Sequence, residues 1–325
     1  MTGVVELETV LAQPRGFCAG VVRAIEIVER ALEAYGAPVY VFHEIVHNPH
    51  VVEDLQQRGA VFVDDLAAVP AGSVTVFSAH GVANAIVAQA LERELNAIDA
   101  TCPLVTKVHV QAQQYSRRGY DIVIIGHRGH EEVEGTRGSV DGVVHILSTA
   151  EEVAALEVRD QAKLAYVTQT TLSLDDTREV IAALKRRFPR IEGPELDDIC
   201  YATQNRQNAV KQLAAEVDVL LVVGARNSSN SNRLRETGAQ FGLPAYLVQD
   251  ETEIETGWLT GVARVGVTAG ASTPEVLVQR VLRRLEELGV TSTRELDGVR
   301  ETTTFSLPKS LRSKNADSSS PALKS

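Results

Sequence analysis

No apolar stretch in this chain approaches the roughly 20 residues needed to cross a bilayer. Its first ten residues carry Glu6 and Glu8, with no basic region ahead of an apolar run, so no secretory signal is read there. A cytoplasmic location is expected, with no membrane partner. Positive charge is also scarce: 32 Lys and Arg against 43 Asp and Glu leave a formal charge of −11. Affinity for a nucleic-acid backbone rests on Lys and Arg neutralising phosphates, so no nucleic-acid partner is expected and any anionic ligand must be small and locally bound. Neither G-x-x-x-x-G-K-[ST] nor G-x-G-x-x-G occurs, so a nucleotide or flavin site is not indicated. Only three cysteines are present, far apart and with no C-x-x-C pair. A disulfide framework explains them poorly, and so does a structural zinc site, which normally takes four ligands in close pairs.

What remains is a chain of 325 residues with 44% hydrophobic and 23% charged residues, the balance of a globular protein with room for two or three modules. The cysteines frame a repeat. Cys18, Cys102 and Cys200 lie 84 and 98 residues apart, and each precedes an amphipathic helical spacing. The first runs Val21, Ile25, Val28, Leu32 to a stop at Gly36 and Pro38. The second starts with Pro103, suited to a first helical position, and continues through Leu104, Val108, Ala112 and Tyr115 to Gly119. The third passes through Val210 and Leu213.

Each helix feeds a β-rich run, Val39–Phe42, Asp121–Ile125 and Val217–Val223, ending in a polar tip. The tips are His47-Asn48, then Gly126 to Glu132, then Asn227 to Asn230, of which Ser228 to Asn230 read as a partial cap for a helix from Asn232 onward. A second run follows in every unit: Val74–Phe77 before Ser78-Ala79-His80-Gly81, Leu164–Val167 before Thr168–Thr171, and Val265–Val267 before Thr268–Ser272. Further helices, such as 175–184 and 274–288, lead onward. Alternating strands and helices imply α/β modules with parallel sheets, whose ligands gather at the carboxyl ends of the strands. The expected fold is three similar modules in a pseudo-threefold trefoil around a central cavity: 19–102, 103–196, and 1–18 with 197–308. The N-terminal strand Val4–Leu11 completes the third, and 309–325 reads as a disordered tail.

A free cysteine is commonly a small buried hydrophobe; only the threefold placement at helix starts argues otherwise. Three converging thiolates can hold zinc or an iron–sulfur cluster, and three ligands on a four-iron cluster would leave one iron open as a Lewis acid. The tips supply His47, His80, His130, Ser228, Ser229, Asn230 and Ser272, hydrogen-bond donors of the kind a diphosphate needs, although no Lys is among them. His43, His50, His109 and His145 read as surface or capping residues. Glu132 is the first candidate for a proton donor, with Glu131 and Glu134 as competitors; Thr170 and Thr171 could orient or relay to a hydroxyl.

Long motifs then carry a resemblance across 11–307. They include Pro14-Arg15-Gly16-Phe17-Cys18-Ala19-Gly20, Phe77-Ser78-Ala79-His80-Gly81, Asp99-Ala100-Thr101-Cys102-Pro103-Leu104-Val105, Thr168-Gln169-Thr170-Thr171-Leu172 and Asp197-Asp198-Ile199-Cys200-Tyr201-Ala202-Thr203. With His43-Glu44 to His47-Asn48, Asn227 to Arg233 and Val267 to Ser272, the chain resembles the 4-hydroxy-3-methylbut-2-enyl diphosphate reductase family. The resemblance implies a trefoil around one 4Fe-4S cluster held by Cys18, Cys102 and Cys200, with one open iron that receives the substrate hydroxyl. It implies substrate contacts from His47, His80, His130, Thr170, Ser228, Ser229, Asn230 and Ser272, and Glu132 as the acid. It implies isopentenyl and dimethylallyl diphosphate as products and ferredoxin or flavodoxin as electron donor. One departure stands inside the motif: Glu131 occupies the place where such families usually carry Pro. Rival expectations are a quinolinate-synthase-like condensing enzyme, which would need no external reductant, and a cluster sensor, which would need an exposed partner surface.

Overall fold

Three short parallel sheets, each grown from one of the repeated apolar runs, form the core of the computed structural model, which describes residues 6–194 and 198–312. Strand β1 (Leu7–Leu11) leads to Cys18 and helix α1 (Ala19–Tyr35). The first sheet then takes β2 (Val39–Phe42), helix α2 (Pro49–Gln57), β3 (Ala60–Val63), β4 (Val74–Phe77), helix α3 (Asn84–Glu92) and β5 (Asn96–Asp99), in the order β3-β2-β4-β5. Helix α4 (Pro103–Arg117) opens the second unit. It contains β6 (Asp121–Ile125), helix α5 (Glu131–Arg137), β7 (Val144–Leu147), β8 (Leu164–Thr168) and helix α6 (Leu174–Arg187), in the order β7-β6-β8. Helix α7 (Tyr201–Leu213) opens the third, with β9 (Val219–Val223), helix α8 (Ser229–Gln240), β10 (Ala245–Val248), β11 (Arg264–Ala269), helix α9 (Glu275–Glu287) and β12 (Val290–Glu295). There β1 returns as an inner strand, in the order β10-β9-β11-β1-β12.

The repeat is therefore three strands deep: β3-β2-β4, β7-β6-β8 and β10-β9-β11 share one order, and every strand pairing is parallel. The two runs per unit expected from sequence are the inner strand and one neighbour. The strand missed each time is the edge strand. β6 and β9 are buried at every residue, whereas β7 and β10 are buried only at their last, so the edges lack the continuous apolar signal of a doubly covered strand. β12, largely exposed and polar, was equally silent.

Local corrections follow from capping. Glu131 and Glu132, expected on an irregular tip, lie in the first turn of α5, where three carboxylates face the helix's positive end and the His130 ring caps the Glu132 N–H. The helix expected from Asn232 begins three residues earlier, at Ser229, with Ser228 as its cap. β9 starts at Val219, two residues later than expected. The β1 strand starts at Leu7; Val4 and Val5, and the tail from 313 onward, fall outside the described residues, as does the module boundary expected at 196/197. Lys309–Leu311, expected as part of a disordered tail, form a short 3-10 turn whose Leu311 is buried against the first module's core. Among the described residues no helix is long and apolar enough to cross a membrane.

Candidate active site

Each cysteine is the residue immediately before a helix: Cys18 before α1, Cys102 before α4, Cys200 before α7, all with extended backbone dihedrals. All three line one cavity of about 110 Å3. A methyl group placed on Gly20 would stand 2.8 Å from Cys102 Sγ and 3.8 Å from Cys18 Sγ, so Gly20 keeps open the space the two thiols share. Cys200 Sγ caps α7, accepting the Thr203 N–H at 3.4 Å, and contacts Thr203 Oγ1 at 3.1 Å.

Burial, aided by the neighbouring sulfurs, pushes the Cys102 thiol up to about 11 and the Cys200 thiol up to about 12. Three thiols on one largely apolar cavity, two of them kept protonated by burial, suit a cationic metal centre, which supplies positive charge and deprotonates its ligands. The donor set is all sulfur, as iron–sulfur clusters require. The residues present therefore fit the cluster.

The three cysteines, Glu132, His47, His80, His130, Thr170, Thr171, Ser228, Ser229, Asn230 and Ser272 all line this one cavity, whereas Glu131 and Glu134, the competing candidates for the acid, do not. The other four histidines set aside do not: His43 pairs with Asp64 at 3.2 Å, His50 and His145 lie 4.0 Å from Asp250 and Asp121, and His109 is not in the lining. Sequence missed several members. Thr203 accepts from Asn230 Nδ2 at 3.3 Å, Glu44 holds His47 Nδ1 at 3.1 Å, and Gln169 Nε2 donates to Thr171 Oγ1 at 2.9 Å. Phe305, from the segment after β12, and Tyr201 complete the apolar wall. The only available signal was position: Thr203 stands three residues after a capping cysteine, the spacing of a cap acceptor and its donor.

The polar groups are already engaged, two of them across modules. Ser229 Oγ donates to Thr171 O at 3.2 Å and Ser272 Oγ to His47 O at 2.9 Å, while Asn230 Oδ1 accepts from Ala271 N at 2.8 Å within the third module. Ser228 Oγ instead accepts from Ser231 N and Ser231 Oγ, which leaves its own proton to turn into the cavity. The His47 and His80 rings stack at 4.1 Å, with His130 edge-on to both. Burial, followed by the nearby histidines, pushes His130 down to about 3, so it is neutral; its Nδ1 accepts the Glu132 N–H at 3.2 Å, which leaves Nε2 as a donor.

Glu132 is 3% exposed. Thr170 N donates to its Oε1 at 2.6 Å and Thr170 Oγ1 to its Oε2 at 2.9 Å. Burial pushes its carboxyl up to about 7 despite those two bonds, with Asp198 adding to the rise. Adjacent Glu131 behaves oppositely: its Oε2 lies 2.8 Å from His80 Nδ1. Burial raises it, but the His80 pairing and the fields of His80, His47 and His43 prevail and hold it at about 2. A buried acid protonated near neutrality, a set of hydrogen-bond donors and three thiols thus share one cavity, an arrangement suited to proton-coupled chemistry on a small anion.

The family described as LytB protein matches residues 9–286. The 4-hydroxy-3-methylbut-2-enyl diphosphate reductase of Pseudomonas putida (strain GB-1) is 58% identical over 306 residues, covering 93% of this chain and 97% of its own. The protein of the same name from Zymomonas mobilis subsp. mobilis is 56% identical, covering 94% and 90%. Among solved structures, the E-1-hydroxy-2-methyl-but-2-enyl-4-diphosphate reductase of Plasmodium falciparum superposes with a TM-score of 0.90 at 39% identity, over 94% of this chain and 96% of that one.

Proposed function

The chain belongs to the LytB family of 4-hydroxy-3-methylbut-2-enyl diphosphate reductases, and from that premise we propose that the cavity between the three modules is the site of its reaction, with Glu132 as the proton donor. The activity is an iron–sulfur reductase's: two electrons and two protons convert (E)-4-hydroxy-3-methylbut-2-enyl diphosphate into isopentenyl or dimethylallyl diphosphate and water, the last step of the non-mevalonate route. One allylic C–O bond breaks and one C–H bond forms. The first proton leaves with the hydroxyl as water; the second goes to carbon.

The observation that carries the site assignment is the meeting, on one cavity, of three cysteines from three helix starts with a buried carboxyl that is protonated near neutral pH. A 4Fe-4S cluster held by Cys18, Cys102 and Cys200 would supply the electrons and, at an iron without a protein ligand, a Lewis acid. Glu132 holds the proton. Thr170 N anchors Oε1, and Thr170 Oγ1 bonds Oε2, so the hydroxyl can accept from the acid and hand a proton onward to a leaving oxygen. His47, His80, His130, Ser228, Ser229, Asn230 and Ser272 take the diphosphate. Stacked His47 and His80 sit on one side and the Ser228 cap on another, so the anion is gripped by all three modules and its allylic end is directed toward the sulfurs. Phe305 and the apolar lining exclude water.

Further parts of the proposal lie outside the cavity. The chain divides at its cysteines into units 19–102, 103–196 and 1–18 with 197–308. Electrons come from a ferredoxin or flavodoxin, since no flavin or nicotinamide fingerprint is present. The three cysteines are free, as a reducing cytoplasm keeps them. Anaerobic purification with iron and sulfide analysis, followed by a reductant-driven assay on the hydroxylated allylic diphosphate, tests the reading. Four irons per chain and turnover that requires reductant support it; turnover without cluster or reductant overturns it.

A further inference from the structure

His47 and His80 stack as a pair, and each has a carboxylate near Nδ1: Glu44 hydrogen-bonded at 3.1 Å, and Glu131 in ion-pair contact at 2.8 Å, with Ser78 Oγ 3.4 Å from the same His80 nitrogen. Their positions differ in origin. Glu44 comes from the same loop as His47, whereas Glu131 crosses from the second module to the first. That crossing is built into the backbone. On α5, a methyl group at Gly135 would stand 2.8 Å from Gly81 O, and one at Gly138 would stand 2.3 Å from Ala83 Cβ, so both glycines let the helix lie directly on the turn that carries His80. Asn84 ties the same contact from the other side, its N–H donating to Gly138 O at 2.9 Å and its Nδ2 to Ser139 O at 3.0 Å.

An ionised carboxylate on Nδ1 decides what the far nitrogen can do. With one proton, His80 keeps it on Nδ1 and offers Nε2 only as an acceptor, useless to an anion. With two, the carboxylate holds one end and Nε2–H becomes a charge-assisted donor. His47, His80 and Glu131 bring ligand atoms within 4.8 Å of one another, but Nδ1 of each ring already faces a carboxylate.

We propose that Glu131 is a positioning residue for the diphosphate: it holds His80 in orientation and, once the anion arrives, as the imidazolium that donates through Nε2. This rests on the reading of His80 as a diphosphate ligand. The charged and titratable groups facing His80 are Glu131 from α5, His47 and Glu44 from the loop after β2, and His130 at the cap of α5. Without an anion, burial keeps His80 below its ordinary value, with Glu131 and Glu44 pulling the other way. The ligand and its carboxylate partner together are needed to charge the ring.

The test uses anaerobic holoenzyme: wild type, Glu131→Gln, His80→Ala and the double variant. The dissociation constant of inorganic diphosphate, KM and kcat are measured for each. For Glu131→Gln we expect about tenfold weaker diphosphate binding near pH 7.5 and a matching rise in KM, with kcat within about twofold. The gap should narrow near pH 5.5, where the ring is more readily protonated without help; the ligand's own titration cancels in the ratio. In the His80→Ala background, Glu131→Gln should add nothing. Unchanged or tighter binding in Glu131→Gln, with His80→Ala still weakened, overturns the proposal and leaves the pocket assignment standing; tighter binding would show that the carboxylate only repels the ligand. Binding unaffected by His80→Ala overturns the pocket assignment itself.

Discussion

Glu131 and Glu132 are the same residue, side by side in the first turn of one helix, and they end in opposite protonation states. Successive side chains on a helix point about 100° apart, so neighbours face different surroundings. Glu132 turns inward to Thr170 of its own module, is 3% exposed and meets no cation at bonding distance; burial raises it to about 7. Glu131 turns toward the first module, meets His80 at 2.8 Å and is held at about 2. The difference teaches that the protonation of each carboxylate here is set by which module it faces, the kind of separation by which two carboxyls can divide the labour of a site.

The largest test of this comparison removes what both carboxylates serve. Replacing Cys18, Cys102 or Cys200 by Ser should abolish turnover and most of the cluster, as read by iron and sulfide content under anaerobic conditions. A variant with full cluster and full activity would detach the carboxylates from the cavity's chemistry.

Next comes the acid itself. Glu132→Gln keeps size and much of the hydrogen bonding but carries no acidic proton, so kcat should fall by roughly 10²-fold or more with the cluster retained. Glu131→Gln should keep most of kcat. Were the two results exchanged, the roles would be shifted by one residue.

The pH profile sharpens the same contrast. Glu132's carboxyl is raised, so the protonated form is full below about 7 and is lost as pH climbs through that value. Turnover at saturating substrate should therefore drop by about tenfold per pH unit on the alkaline side, and the residual activity of Glu132→Gln should lack that limb. A wild-type limb that persists unchanged in the variant would assign it to another group.

The smallest effects belong to the anion grip. His47→Ala should weaken diphosphate binding by roughly 1–3 kcal/mol, and Ser272→Ala by an amount in the same range, with cluster spectra unchanged. Because Ser272 Oγ donates to His47 O, the two losses should not add. Full additivity in the double variant would show that the Ser272–His47 contact does not act as one unit.

Much of this was legible before any coordinates. Asp121–Ile125 and Val39–Phe42 read as strands from continuous apolar runs, and they are strands at those residues. Ala60–Val63, Val144–Leu147 and Ala245–Val248, no shorter than Val39–Phe42, escaped because edge strands are half wetted. The cysteines could be aligned because each is followed by a helical spacing and each truly opens a helix. Glu131 and Glu132 could not be told apart, since neither composition nor spacing says which way a helix's first turn is facing.

The sequence by itself determined the threefold repeat, the helix starts at the cysteines and the set of polar tips, because these follow from periodicity and capping, which are local. Only the tertiary structure decided how the tips meet. It laid α5 on the Gly81 turn through two glycines, buried Glu132 against Thr170 and exposed Glu131 to His80. Those outcomes depend on burial and on partners brought from residues 38 and 51 positions away, and a carboxyl's proton is governed by that distant company and not by its neighbours in the chain.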